Sequence, residues 1–488
     1  MAWRTGAPRS GDSSALPSDG ESSTATDTSP RTAAQIAAAV RAGRLTPEQA
    51  VTRALSRIQA RDGNLGAFVS VREADALERA RALSTHPHLR DLPLAGVPVA
   101  IKDNVGVAGE VLTIGSAATS PVAQGSDHPA VACLVAAGAV VVGTTAVPEL
   151  CVWGATDRPG SVTRNPWNTA RTAGGSSGGS ASAVASGQVP IALGNDGLGS
   201  IRIPSADCGL VGIKPGPGVV PGLLEAADSP TTDPHGWYGM SENGPIATTV
   251  ADAALMLSVL AGDASYATVH DPAALTILSA HNFPTALGRP DPYFDASQTE
   301  CESLFGNAGH RIARMPLAYP TNPLPLLYRW VGGVAGDVDS LTADGGAPDL
   351  LQRRTKVHAR LGKLVIDRNL VRDSQIDDIR SRIERCMDLA WAQVIMTPTL
   401  ARPPIRARQW SRRGWLANVI ANVSYAPYPG LFNLLRWPAI SIPTGVHPVS
   451  GTPVAVQLAA RPGSESLLLG LAAQIERQRP WQRVAPGY

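Results

Sequence analysis

Two short stretches, Thr172-Ala-Gly-Gly-Ser176-Ser-Gly-Gly-Ser180 and Gly194-Asn-Asp-Gly-Leu-Gly-Ser200-Ile-Arg-Ile-Pro-Ser205, combine glycine and serine at high density. Glycine lets the backbone approach a ligand closely and adopt positive φ. Lys102, one of only four lysines, ends the apolar run of residues 94–101. A lysine at the end of a buried strand must be solvated, paired or deprotonated, because a bare buried ammonium is too costly. Lys102, Ser176 and Ser200 are therefore candidates for one chemical site.

Predicted strands alternate with predicted helices around these stretches. The apolar patterns predict strands over 67–71, 97–101, 139–143, 190–193 and 453–458, and helices over 72–83, 128–137, 179–186, 249–260 and 464–477. Alternation of this kind is typical of layered α/β folds. We therefore expect an α/β/α arrangement in which helices cover a large mixed β-sheet. Residues 264–393 are less regularly patterned.

Composition limits the classes of partner. The 488 residues carry 42 basic and 40 acidic side chains, so no nucleic acid or anionic membrane is expected. No run of about 18 apolar residues predicts a spanning helix. The five cysteines form no CxxC pair, which argues against zinc and disulfides and favours the cytoplasm. Residues 1–30 are too polar to form a core or a signal peptide, and we expect a disordered tail there.

A serine nucleophile needs a base within hydrogen-bond reach. Histidine is the usual base, but none of the nine histidines lies in a recognisable motif. A neutral lysine can take this role if burial lowers its pKa. Lys102 is the natural candidate for that base.

The chain resembles the amidase signature family. The motifs that carry the likeness are Gly96-Val-Pro-Val-Ala-Ile-Lys102-Asp103, Gly174-Gly-Ser-Ser-Gly-Gly-Ser180 and Asp196-x-x-Gly-Ser-Ile-Arg-x-Pro204. The resemblance implies one amidase signature catalytic domain over residues 31–488, with 264–393 as a variable region that shapes the substrate site. It also implies hydrolysis of a small-molecule amide to an acid and an amine or ammonia, without metal or cofactor. A homodimer is among the expected assembly states.

The resemblance also implies a role for each site residue. Ser200 would be the nucleophile, Ser176 the proton relay after a cis peptide bond at Gly175, and Lys102 the terminal base. The backbone amides of four consecutive residues would form the oxyanion hole: Gly197, Leu198, Gly199 and Ser200. Cys151 and Trp153 would line the acyl pocket. Asp196 and Arg202 are expected to form an ion pair that braces the nucleophile loop.

The sequence departs from the family pattern at Leu198, where many members have glycine. A positive φ there would strain the loop. Arg436-Trp437 also replaces a commonly small residue before Pro438, and this change could reshape the pocket.

Three other interpretations remain open. Residues 174–178 also satisfy G-x-S-x-G, the nucleophile elbow of α/β-hydrolases, with Ser176 as nucleophile and a histidine base, but residues 164–173 before it are interpreted as a loop rather than a strand. An amidotransferase A-type subunit would release ammonia from glutamine for a partner, although such subunits typically carry Gln where this chain has Ile203. A member of the family could also use the scaffold for acyl transfer or binding.

Overall fold

The computed structural model describes residues 31–222, 236–285 and 289–488, and the tail expected over residues 1–30 lies outside them. Within the described ranges the chain forms fourteen α-helices and fifteen strands. The helices are α1 Ala33–Arg41, α2 Pro47–Leu65, α3 Glu73–Ser84, α4 Pro129–Ala136, α5 Gly178–Ala185, α6 Arg202–Cys208, α7 Val250–Ala261, α8 Pro292–Asn307, α9 Leu324–Ala343, α10 Arg353–Asp367, α11 Ser374–Ala390, α12 Trp415–Tyr425, α13 Gly430–Leu434 and α14 Glu465–Gln478. The strands are β1 Phe68–Val71, β2 Pro98–Lys102, β3 Val140–Thr145, β4 Asp157–Arg158, β5 Ser161–Val162, β6 Arg164–Asn165, β7 Asn168–Thr172, β8 Ile191–Asp196, β9 Val211–Lys214, β10 Glu242–Ala247, β11 Thr276–Ser279, β12 Arg311–Arg314, β13 Val394–Pro398, β14 Ala439–Val446 and β15 Pro453–Ala460.

One eleven-stranded sheet organises the described part of the chain. Its order is β1-β3-β2-β8-β10-β9-β14-β15-β13-β11-β12. Strand β2 runs parallel to both β3 and β8, whereas β8 and β10 are antiparallel. The sheet is therefore mixed, and the predicted α/β class is confirmed. Outside it, β4 pairs with β5, and β6 pairs with β7.

Helices cover both faces of this sheet, and successive residues of β2 point to opposite faces. Val99 and Ile101 pack in the core that includes α4 and α7. Ala100 packs in the core that includes α3 and α5. By the same alternation Lys102 lies on the face of Ala100, which is the face that α5 covers. The strand register thus directs Lys102 toward the glycine-rich segment that leads into α5.

Most predicted segments fall within a few residues of the observed ones. The exception near the site is residues 164–173, interpreted as a loop, where the structure has the β6–β7 hairpin. That hairpin is short and polar, and its strand β7 has a mostly exposed middle, so its sequence lacks the apolar pattern that predicts a strand. No described helix is both long enough and apolar enough to cross a membrane.

Candidate active site

Ser200 lies in the turn between strand β8 and helix α6. The side chain of Asp196, the last residue of β8, accepts hydrogen bonds from the backbone amides of Gly199, Ile201 and Arg202 at 2.5, 3.2 and 3.4 Å. The first two amides belong to the turn, and the third belongs to the first residue of α6. The carboxylate therefore caps the start of the helix and holds the turn in place. Ser200 is half-buried, and its Oγ has no hydrogen-bond partner among the described residues.

The predicted pair between Asp196 and Arg202 is confirmed. Arg202 Nε and Nη2 donate to the two carboxylate oxygens at 3.0 and 3.1 Å, and both side chains are 0% exposed. Asn433 Nδ2 also donates to Asp196 Oδ1 at 2.9 Å. Burial alone would raise the pKa of Asp196, but the Arg202 charge and these hydrogen bonds outweigh it and hold that pKa well below its ordinary value. The nucleophile turn therefore rests on a buried, bidentate ion pair.

Leu198 is accommodated without backbone strain. The positive φ in this turn falls on Gly199, at +111°, and not on Leu198. A Cβ at Gly199 would lie 2.6 Å from Cβ of Pro429, so glycine is required there. The Leu198 side chain packs beside Trp237 and Leu326 at the edge of an apolar cluster. The substitution that departs from the family pattern thus adds packing and leaves the backbone path intact.

Residues 174–180 form a buried segment, and not a flexible linker. A Cβ at Gly179 would lie 2.3 Å from the amide nitrogen of Ala146, and one at Gly175 would lie 2.5 Å from the carbonyl oxygen of Trp153. Glycine is therefore needed for the close approach of α5 to the sheet. The Gly175–Ser176 peptide bond is cis, as the resemblance implies.

Lys102 meets Ser176 beneath the cavity. Lys102 is 0% exposed, and its Nζ lies 2.8 Å from Ser176 Oγ and 2.8 Å from the carbonyl oxygen of Asn195. Burial lowers the pKa of Lys102 from its ordinary value of 10.5. In a neutral amine, one N–H can donate to Asn195 while the lone pair accepts the Ser176 hydroxyl proton. The geometry thus suits Lys102 as a base.

A cavity of about 840 Å³ opens over these groups. Ser176 and Ser200 of the glycine-rich segments line it, together with Cys151 from the turn after β3. Cys151 lies close to both Ser176 and Lys102, but burial raises the pKa of its thiol, so it is held neutral. Cys151 thus lines the cavity, and its contact with the acyl part of a substrate stays a prediction.

The expectation that Trp153 lines the acyl pocket needs a correction, because Trp153 does not line the cavity. It is 1% exposed and packs edge-on against Trp330 and His358, with the Arg354 guanidinium 5.5 Å from its ring centre. Leu150 and Cys151 both have positive φ, and Trp153, two residues further on, is buried in the core. Trp153 is a core residue.

The predicted oxyanion hole also needs a correction. The Gly199 amide already donates to Asp196 at 2.5 Å, so it is not free for a substrate oxygen. The amides of Gly197, Leu198 and Ser200 have no acceptor within the described part of the chain. These three amides remain the candidates.

Sequence reasoning missed the opposite wall of the cavity. Trp237 lies against the nucleophile loop, because a Cβ at Gly197 would meet its ring at 2.9 Å. Trp237 Nε1 donates to Asp337 Oδ2 at 2.8 Å, and both residues line the cavity. The sequence does carry one sign of this wall: Gly332, Gly333 and Gly336 lie at helical spacing, so one face of α9 has no side chains there. A Cβ at Gly333 would lie 2.7 Å from Trp237, so that bare face makes room for the indole.

The structure thus brings a buried lysine and two serines together at one cavity of a layered α/β fold. The family model described as Amidase matches residues 49–469. The chain is 39% identical over 465 residues to AmiB2 of Mycobacterium tuberculosis, covering 91% of this chain and 95% of that protein. It is 31% identical over 480 residues to an acylamidase of Rhodococcus erythropolis, covering 93% and 96%.

The fold is also similar to that of solved amide hydrolases. A solved 6-aminohexanoate cyclic dimer hydrolase, in complex with its substrate, superposes with a TM-score of 0.77 at 25% identity, covering 93% of this chain and 98% of that one. The chain belongs to the amidase signature family and is an amide hydrolase.

Proposed function

We propose that this protein hydrolyses a carboxylic amide through an acyl-enzyme on Ser200, with Ser176 as the proton relay and Lys102 as the terminal base. The observation that carries the proposal is the 2.8 Å contact between Lys102 Nζ and Ser176 Oγ, made where burial lowers the lysine pKa. Ser176 and Ser200 share the cavity wall, and the peptide N–H of Ser177 donates to the carbonyl oxygen of Ser200 at 3.2 Å. This bond ties the two serine segments together.

In the first half of the cycle, neutral Lys102 accepts the Ser176 proton while Ser176 takes the proton of Ser200. The Ser200 oxygen bonds to the amide carbon, and the negative carbonyl oxygen is stabilised by free backbone amides of the turn. Loss of one such donor costs about 3 kcal/mol of barrier in other hydrolases. The C–N bond then breaks, and Ser176 protonates the leaving nitrogen as Lys102 returns its proton.

In the second half, water gives a proton to the same relay and bonds to the acyl carbon. The C–O bond to Ser200 then breaks, and the relay returns the proton to Ser200. The products are a carboxylic acid and an amine or ammonia.

The substrate class is tested by turnover of purified protein on aliphatic, aryl and peptide-terminal amides. Release of free acid from at least one series, with loss of that activity in Lys102→Met and Ser176→Ala variants, supports the proposal. The rate of acid release without any added amine separates hydrolysis from acyl transfer, because an acyl transferase turns over slowly until an acceptor such as hydroxylamine is added.

The amidotransferase alternative finds little support in the cavity. Glutamine carries a carboxylate, but the described residues that line the cavity include no arginine or lysine to pair with it. Ile203, at the position where such subunits typically have Gln, points the same way. Glutaminase activity, or co-purification with partner subunits, would favour this alternative.

A cytoplasmic location and a homodimeric assembly stay predictions. All five cysteines are free thiols, which supports a reducing compartment. Fractionation of the native host and light scattering of the purified chain test the two predictions separately.

A further inference from the structure

One face of helix α9 forms the cavity wall opposite the serines. Gly333, Gly336, Asp337, Ser340 and Asp344 line it, and their spacing of three or four residues places them along one side of the helix. Because the first two are glycines, the side chain of Asp337 is the first large polar group on this wall.

Asp337 is a half-buried carboxylate with a single neutral donor. Trp237 Nε1 donates to Oδ2 at 2.8 Å, and Oδ1 has no partner among the described residues. Desolvation raises the pKa of Asp337 to about 7 against the effect of that hydrogen bond. Asp337 lines the same cavity as Cys151, Ser176 and Ser200, so its carboxylate faces the space that the serines share. A carboxylate in this position gains most from a positively charged partner.

The other charged side chains among the described residues of the cavity lining are acidic, like Asp337. The described ionisable side chains of the lining include Asp127, Asp337 and Asp344, with no lysine or arginine. Asp127 Oδ1 is occupied by the amide of Ala108 at 2.8 Å, and Asp344 is exposed at the rim. His128 accepts the amide proton of Ala130 through Nδ1. Of the three carboxylates, Asp337 is the one held by Trp237, whose ring packs against the nucleophile loop at Gly197.

We propose that Asp337 is a specificity residue that binds a cationic amine of the substrate, so that the preferred amides carry an ammonium group. This inference rests on the proposed function, because it assigns the substrate class of the same cavity. Trp237 positions the carboxylate while its ring packs on the nucleophile loop at Gly197. The bound amine would supply the charged donor that none of the described residues provides to Oδ1.

The test compares three ligands of equal chain length, pentylammonium, pentan-1-ol and pentanoate, as protectants of the full-length enzyme against a serine-directed fluorophosphonate. We expect pentylammonium to protect at a concentration about tenfold lower than pentan-1-ol, as one charge-assisted hydrogen bond allows, and pentanoate to be the weakest. Equal protection by the ammonium and the alcohol would overturn the proposal.

Asp337→Asn isolates the charge, because the amide oxygen can still accept the Trp237 proton. The ammonium advantage should fall to less than about threefold in this variant. Asp339→Asn, which removes the same charge from an exposed position of the same helix, should keep the full advantage. If Asp337→Asn kept it as well, Asp337 would serve only to hold Trp237. Thermal melting of each variant checks that it is folded.

Calorimetric titration of the same ligands separates this inference from the proposed function. Absence of fluorophosphonate labelling on wild-type Ser200 would count against the proposed nucleophile. The ligand ranking measured by calorimetry does not need a reactive serine, so it still supports or overturns the role of Asp337.

Discussion

The side-chain nitrogen of Lys102 lies 2.8 Å from the hydroxyl oxygen of Ser176, and both residues are at most 1% exposed. Strand register places Lys102 on the α5 side of the sheet, and the glycines of residues 174–179 allow the serine segment to come close enough to meet it. This contact is the physical basis for assigning the lysine as a base, since burial disfavours the charged amine.

Activity should depend on the deprotonated form of Lys102. Burial lowers the pKa of Lys102 below 10.5. We therefore expect kcat/KM to rise with pH, with a midpoint below that value, and to reach a plateau above the midpoint. Below the midpoint, each pH unit should lower kcat/KM about tenfold, since protonated Lys102 cannot accept a proton. The measurement is a pH profile of kcat/KM on a neutral amide.

Lys102→Met should lower kcat/KM by about a thousandfold or more, with partial rescue by small added amines. Lys363→Met, which removes an exposed lysine, serves as the control and should match wild type. An unchanged profile in Lys102→Met would rule out the base role.

The buried pair beneath the nucleophile turn should dominate local stability. Asp196→Asn leaves the Arg202 guanidinium buried without its counter-charge, which should lower the free energy of unfolding by about 3–5 kcal/mol. The double variant with Arg202→Met should lose less than the sum of the two single variants. Asp378→Asn, which breaks an exposed pair with Arg382, should change stability by less than about 1 kcal/mol. Denaturant unfolding measures all four, and a loss below about 1 kcal/mol in Asp196→Asn would show that the pair is dispensable.

The same pair gives a pH dependence of stability whose sign follows from the lowered Asp196 pKa. A carboxyl with a depressed folded-state pKa contributes its full stability above its unfolded value of 3.8 and loses it as the pH falls further. The Asp196 contribution, measured as the difference between wild type and Asp196→Asn, should be constant from pH 5 to about 8 and shrink below about pH 4. A contribution that shrank already between pH 7 and 5 would mean that Asp196 is not held ionised.

Neighbouring substitutions in the nucleophile turn should have opposite effects. Gly199→Ala forces a Cβ into a residue at φ +111° and against Pro429, so it should disrupt the turn at a cost of about 1–3 kcal/mol and lower kcat/KM strongly. Leu198→Ala removes only packing, so kcat/KM should stay within a few-fold of wild type. Steady-state kinetics and thermal melting distinguish the two. A larger loss of activity in Leu198→Ala would mean that its side chain, rather than its backbone, serves the reaction.

The residues that could be predicted from the sequence are those whose position follows from local pattern. Lys102 ends an apolar strand, Ser200 follows a strand in a glycine turn, and the pair Asp196 and Arg202 is local in sequence, so motif and periodicity were sufficient. Leu198 was expected to strain the loop only if its φ were positive, and the structure assigns the positive φ to Gly199.

The parts that could not be predicted depend on long-range packing. Trp153 follows Cys151 closely in sequence, yet its ring enters a cluster with Trp330 and His358 from distant helices. The Gly199 amide is taken by Asp196, which spacing alone does not reveal. Asp337 reaches the cavity only because α9 folds over the serine loops. The nearby glycines of α9 mark a bare helix face, but they do not reveal what that face packs against.

The most direct test of the central claim is the site of covalent modification by a fluorophosphonate, read by intact mass and peptide mapping. We expect a single adduct on Ser200 in wild type, and no adduct and no turnover in Ser200→Ala. Labelling should be normal in Ser205→Ala, which removes a buried hydroxyl that has no hydrogen-bond partner in the described ranges. An adduct on Ser176, or near wild-type turnover by Ser200→Ala, would contradict Ser200 as the nucleophile.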